Sequence, residues 1–188
     1  MEGLRIKGNS FRIVLGAVET LRGREQRDRT VSRLQGEVAE AVRTGSILAS
    51  GWYDVEWYRA LIHAAVVEER QPAQLARALG HESARSDITT LHRAIFRLLS
   101  PETSLRQITR LLRLYYRGGS GEALVAEPGH ARVRYSGFEG FDQLLWQDFV
   151  GGTEAVLEAT GARGGVIKIV AGGGDGDATM TADATWLV

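Results

Sequence analysis

Five side chains in one stretch hold most of the recognition chemistry this sequence offers. Trp52, Tyr53, Trp57, Tyr58 and His63 lie between Ser50 and Ala65, four large rings at what reads as a helix entrance and an imidazole further along. Tyr53 and Trp57 are four residues apart and can share a helical face, whereas Trp52 and Tyr58 project elsewhere. Tyrosine and tryptophan join an apolar body to one polar handle, which suits a ligand pocket, an interface, or a plug between helices. The pattern points to binding, with the core plug as the simpler alternative. No nucleophile-base spacing or cofactor fingerprint accompanies it.

Metal chemistry finds little support. His63, His81, His92 and His130 lie far apart, with no second histidine or carboxylate at ligand spacing on a common face. His63, among alanines and valine, reads as a buried or pocket-lining residue before it reads as a metal or haem ligand. The chain has no cysteine, which excludes disulfides, thiolate metal sites and thiol nucleophiles. Neither a metal nor a cofactor is expected.

Arg106, Arg110, Arg113 and Arg117 are spaced by four, three and four residues. On one helix this makes a stripe opposite Leu105, Ile108, Leu112 and Tyr116. A solvated face near a helix C-terminus is the first reading, a partner or dimer surface the second, and a phosphate backbone the third. Gly172 to Asp177 looks like a phosphate loop but lacks the lysine and leads into a strand, so it reads as a hairpin loop. Asp175, Asp177 and Asp183 lack the spacing and closing glutamate of a calcium loop.

The elements that must position these residues change character along the chain. Helical spacing marks Ser10 to Leu21, a charged loop follows from Arg22 to Arg29, and Thr30 opens an amphipathic segment that Thr44-Gly45 ends. Asp54 caps the aromatic helix, which runs to about Glu69. Pro72 restarts a short helix closed by Gly80, and another spans Ser83 to Leu99. Ser100-Pro101-Glu102 begins a helix that continues to Arg117. Beyond Gly118 to Gly121 the period becomes two. Strands at Glu122 to Glu127 and His130 to Ser136 meet at Pro128-Gly129, a helix spans Phe141 to Thr160 with a Gly151-Gly152 weak point, and strands at Val166 to Ala171 and Ala178 to Val188 finish the chain.

The expected class is therefore α+β. One domain spans 1-188, with a helical part (1-120) as an N-terminal layer packed on a C-terminal antiparallel sheet (121-188, a β-β-α-β-β tail). Residues 1–120 hold 19 basic against 13 acidic side chains, a net of +6, and residues 121–188 hold 4 against 10, a net of −6. Opposite halves of this kind can attract within a fold or across a dimer without an acidic partner. Of the 23 basic residues only Lys7 and Lys168 are lysine. That bias, with abundant glycine and alanine, fits a GC-rich bacterial genome. No signal-peptide pattern or membrane-length apolar run is present, so a cytoplasmic location is expected.

Gly51-Trp52-Tyr53-Asp54-Val55-Glu56-Trp57-Tyr58, with Lys7-Gly8-Asn9-Ser10-Phe11 and Leu79-Gly80-His81-Glu82-Ser83-Ala84-Arg85, resembles a family of roughly 200-residue myxobacterial proteins of unknown function. That family is similar to the superfamily of haem nitric-oxide-binding domains, 4-vinyl-reductase-type domains and Golgi transport-particle subunits. The resemblance implies a helical layer against an antiparallel sheet, an apolar pocket between them, and dimerisation. It does not bring the superfamily's ligand chemistry with it. Haem members share a proximal histidine and a Tyr-x-Ser-x-Arg motif, whereas the similar string here, Tyr135-Ser136-Gly137, lacks the spacing and the arginine. Zinc-binding and acylated members need cysteine.

The reading that follows is a non-enzymatic cytoplasmic binding or signalling-adaptor domain, a homodimer with a small apolar ligand or a protein partner. Trp52, Tyr53, Trp57, Tyr58 and His63 are its ligand or interface candidates, and the four arginines its partner-surface candidates. An enzyme related to the reductase-like members, using Tyr53 and His63, is the alternative. A nucleic-acid-associated regulator is a weaker third.

Overall fold

The computed structural model describes residues 3–88 and 100–188. Within them the chain runs β1 (Arg5–Lys7), α1 (Gly8–Arg22), α2 (Arg24–Arg33), α3 (Gly36–Thr44), β2 (Trp52–Asp54), α4 (Val55–Val66) and α5 (Pro72–Asp87). After residue 99 it continues with α6 (Pro101–Arg106), α7 (Ile108–Leu112), β3 (Tyr116–Arg117), β4 (Ser120–Glu127), β5 (His130–Ser136), α8 (Gln143–Ala159), β6 (Arg163–Gly172) and β7 (Thr179–Leu187). The class is α+β.

The C-terminal strands form an antiparallel sheet in the order β4-β5-β7-β6. Their period-two pattern decides which face is covered. Ala131, Val133 and Tyr135 on β5 stand opposite Ala184, Ala182 and Met180 on β7, and all six are buried. The intervening positions face outward, where Arg132 makes two hydrogen bonds to Asp183, at 2.6 and 2.7 Å. Tyr135, Phe138, Phe141, Trp146 and Phe149 build an aromatic core between this sheet and α8, mostly in edge-to-face pairs. Trp146 Nε1 donates to the Asp177 carbonyl at 3.0 Å, and Asp175 accepts from Gln143 N at 3.0 Å. The glycine-rich segment is thus a hairpin loop whose tip ties down the start of α8.

Helices α5 and α8 pack at backbone distance. A Cβ on Gly80 would fall 1.8 Å from the Asp148 carbonyl oxygen, and one on Gly151 would fall 1.9 Å from that of Arg77. These glycines therefore work as a crossing point. Arg77 fastens the same pair, donating from Nε to Glu154 at 2.9 Å and from a terminal nitrogen to the Ile167 carbonyl of β6 at 2.7 Å.

Several expectations are corrected. Gly80 does not close a short helix; α5 runs through it to Asp87, because a glycine pressed against α8 is held helical by packing. The Arg22 to Arg29 segment is mostly helix, starting at Arg24, with Arg29 bonded to Glu25 and Gln26 along its surface. The end of the expected Ser83 to Leu99 helix lies outside the described residues. The helix from Pro101 does not reach Arg117. It breaks at Gln107 (φ −99°, ψ 15°), and Thr109 then accepts from Gly121 N at 3.1 Å and donates to the Gly121 carbonyl, tying α7 to β4. That break lets Tyr116 and Arg117 pair with Ile6 and Arg5.

This pairing belongs to a second sheet, β2-β1-β3, which the sequence pattern did not show. Its strands are two or three residues long, too short for a visible alternation. Asp54 caps α4, accepting from Glu56 N at 2.9 Å, and Ser100 caps α6, accepting from Thr103 N at 3.2 Å, whereas neither Asn9 nor Ser10 caps α1, which starts at Gly8 behind Lys7 with no side-chain cap.

Candidate ligand cavity

Between α1, α4, α5, α7, β3 and α8 lies a cavity of about 130 Å³. Its walls are mainly apolar, with Ile6, Ile13, Ala84, Ile108, Leu112, Phe149 and Val156 among them. The helical stripe of α8 places Asp148 in this wall beside Phe149, Gly152 and Val156. The residue is 6% exposed. Tyr58 from α4 donates to its Oδ2 at 3.1 Å, and Oδ1 has no hydrogen-bond partner. Burial in apolar surroundings pushes the carboxyl up to about 7, with the Tyr58 hydrogen bond opposing that rise. Burial first and the Asp148 charge second hold the Tyr58 phenol well above its ordinary range.

A second acid stands across the cavity. Asp87, at the end of α5, accepts from the Tyr115 hydroxyl at 2.6 Å and from Asn9 Nδ2 at 3.4 Å. Ser83, one turn before it, also lines the cavity and its buried Oγ has no hydrogen-bond partner. Among the described residues, no lysine, arginine or histidine lines this space. The site therefore combines an apolar chamber, two carboxyl groups and several hydroxyls, with two polar atoms left unmatched. Unmatched buried polar atoms are costly and rare in native proteins.

The residues singled out in the sequence are distributed more widely. Tyr58 alone of the five lines the cavity. Tyr53 accepts a hydrogen bond from Leu48 N at 2.8 Å and stacks on Trp57 with ring centroids 5.6 Å apart, and its other side meets Phe11. Trp52 lies on the small sheet between Lys7 and Arg117, whose charged groups are 5.5 and 4.7 Å from its ring centroid. His63 is exposed; its Nε2 is 2.6 Å from Asp142 Oδ2, while Asp142 Oδ1 caps α8 at Leu145 N, 3.0 Å away. It borders a shallow surface depression with Arg33, Pro72 and Leu144.

Arg106, Arg110 and Arg113 share a surface groove with Gln107 and Thr109, and Arg106 donates to the Ala126 carbonyl at 2.6 Å. Arg117 is not in that stripe, since it lies in β3 over Trp52. His92 lies outside the described residues. No group of three or more metal-ligating side chains occurs among those described, and none of their helices is long and apolar enough to cross a membrane.

Asp148, Ser83 and Asp87 were not anticipated. The signal was present for Asp148, a carboxylate inside the apolar stripe Leu145, Phe149, Gly152 and Val156. Ser83 and Asp87 sit on a helix whose buried face is set by small residues, so no stripe marks them.

No protein-family pattern matches the chain, and no curated protein matches its sequence. Solved structures match over nearly its whole length. An Fe(II) unliganded H-NOX protein from K. algicida superposes with a TM-score of 0.71 at 12% identity, covering 97% of each chain. This is the H-NOX fold. A Cs H-NOX variant carrying 4-cyano-L-phenylalanine gives 0.73 at 13% identity, again over 97% of each chain. An oxygen-binding H-NOX domain related to soluble guanylate cyclases, in its oxygen complex, gives 0.66 at 12%, covering 97% of this chain and 95% of its own. At such identities the H-NOX fold is what is shared. The β-β-α-β-β tail expected from the sequence is the order of β4, β5, α8, β6 and β7 in this chain.

Proposed function

We propose that the chain is a non-enzymatic, cytoplasmic binding domain that holds a small, largely apolar molecule in the cavity between α5 and α8. It passes occupancy on to a protein partner, in a homodimer or through one. The observation that carries this reading is the cavity itself, an apolar space inside a fold shared with an H-NOX domain described as oxygen-binding, with the unpaired Asp148 Oδ1 in its wall. An apolar cavity of about 150 Å³ is enough to take up benzene.

Haem is the group the fold implies, since H-NOX neighbours are described by their haem distortion. The described walls here do not fit it. The cavity is well below the roughly 300–1,000 Å³ of pockets that take larger ligands. Its charged groups, Asp87 and Asp148, have the same sign as haem's carboxylates, and no described lining residue is cationic. Tyr135, the one matching residue of the Tyr-x-Ser-x-Arg motif, is buried among Phe138 and Phe149. Haem therefore has no part in the proposed function.

A reductase-like activity through Tyr53 and His63 gains no support from their positions. One is hydrogen-bonded within the β2 corner, the other is exposed beside Asp142, and they line no common cavity.

Native mass spectrometry of freshly purified protein tests the proposal. The expected result is a dimer carrying a small non-haem adduct, or an empty dimer that takes up toluene at one site per chain. A stoichiometric haem complex after hemin titration, or a protein that admits no apolar molecule, would contradict it.

A further inference from the structure

We infer that the cavity selects small molecules that pair a hydrocarbon body with a primary ammonium group, which docks on Asp148 Oδ1 and Ser83 Oγ. The inference rests on the cavity being a ligand site and adds the class of ligand. Its basis is a mismatch between what the walls offer and what they use. Asp148 Oδ2 is engaged by Tyr58, Asp87 is engaged by Tyr115 and Asn9, and Asp148 Oδ1 and Ser83 Oγ are both buried in the same walls without partners. Once ionised, the Asp148 carboxylate can only accept, and a serine hydroxyl can accept, so above the range where that carboxyl ionises a ligand completing both must bring donors. An ammonium brings three donors and the positive charge that the described walls lack.

The surroundings sharpen that preference. Among the described residues, the titratable groups that line the cavity with Asp148 are Tyr58 from α4, Tyr116 from β3, and Asp87 with Tyr115. Arg77, on α5, is turned away to Glu154 and the Ile167 carbonyl. A cation entering here meets two carboxyl groups and no described basic side chain, whereas an anionic ligand meets repulsion without a counter-charge among the described residues. No bond forms or breaks on docking. Below neutral pH the ammonium displaces one proton from the Asp148 carboxyl to solvent, so binding tightens as pH rises through the range where that carboxyl ionises.

The test uses the full chain and three probes of similar shape, benzylamine, benzyl alcohol and toluene, titrated calorimetrically at pH 6 and pH 8. At pH 8 benzylamine is expected to bind the wild-type protein about tenfold or more tighter than either neutral probe. That preference is expected to fall by about tenfold at pH 6 and to vanish in Asp148→Asn, which keeps an acceptor for Tyr58. Toluene is expected to bind both proteins alike. Ser83→Ala is expected to weaken benzylamine about threefold and leave toluene unchanged.

Toluene binding without any preference for the amine, or a preference that survives in Asp148→Asn, overturns the ammonium inference and leaves the cavity reading intact. Failure of all three probes removes the cavity reading instead. Should Asp148→Asn not fold, the wild-type pH dependence and Ser83→Ala decide the matter alone, and a pH-independent amine preference would count against the inference.

Discussion

The corner around Trp52 and the wall around Asp148 make opposite use of polar and aromatic groups. At the corner, Tyr53 holds the Leu48 amide, stacks on Trp57 and abuts Phe11, while Trp52 sits between Lys7 and Arg117. Tyr53's handle is taken and Trp52 is flanked by cations. At the wall, Oδ1 of buried Asp148 and the buried Oγ of half-buried Ser83 are left unmatched in residues that line the cavity. The corner stabilises the join between the small sheet and the helices. The wall gives up stability, and under the proposed function a ligand that supplies the missing partner recovers it. Richness in aromatics thus marks structure here, and unmet hydrogen-bonding capacity marks the candidate site.

The largest effect should come from the helix crossing on which the wall is built. Gly80→Val places a side chain into the Asp148 carbonyl, and the helices must separate. It should cost about 3 kcal/mol or more in urea denaturation, with loss of toluene binding. A variant as stable as the wild type would mean the two helices do not meet as described.

Next is Asp148→Asn. The carboxyl titrates near 7 when folded and near 3.8 when unfolded, so the native state binds its proton more tightly. Stability from this group is complete below about pH 4 and is lost as pH rises towards 7. Asparagine cannot ionise and escapes that loss. The variant should be more stable than the wild type by about 2–4 kcal/mol at pH 8, with the difference shrinking towards pH 4. Denaturation curves at both pH values check this, and a difference independent of pH would contradict the burial of the Asp148 carboxyl.

Tyr58→Phe should follow, since it leaves both Asp148 oxygens without donors. A destabilisation of about 1–3 kcal/mol at pH 8 is expected, with the Asp148 carboxyl moving further up because the hydrogen bond that opposes its rise is gone. The smallest effect belongs to the corner. Arg117→Ala removes one cation from the half-buried Trp52 ring and should cost about 0.5–1 kcal/mol, without touching probe binding.

The sequence showed the parts of the fold that have a period. Alternation placed the four-stranded sheet, helical spacing placed α1 and α8, and Asp54 and Ser100 were legible as caps. What it hid were features set by distant partners. The Gly151-Gly152 step reads as a weakness in a helix until α5 arrives at backbone distance, and the Arg106 to Arg117 stripe reads as one helix until Thr109 and β1 break it. The candidate site was half visible. Tyr58 was singled out for its ring, yet it enters the site through its hydroxyl, and Asp148 was a legible charge in an apolar stripe that the louder aromatic run obscured.

The most direct measurement is the titration of the Asp148 side-chain carboxyl by carbon NMR, with the protein alone and saturated with benzylamine. The account predicts a midpoint of about 7 for the protein alone and a clear downward movement with the amine. A midpoint in the ordinary carboxylate range without any ligand would mean that water already reaches Asp148, and the account of this wall as an incomplete binding site would fail.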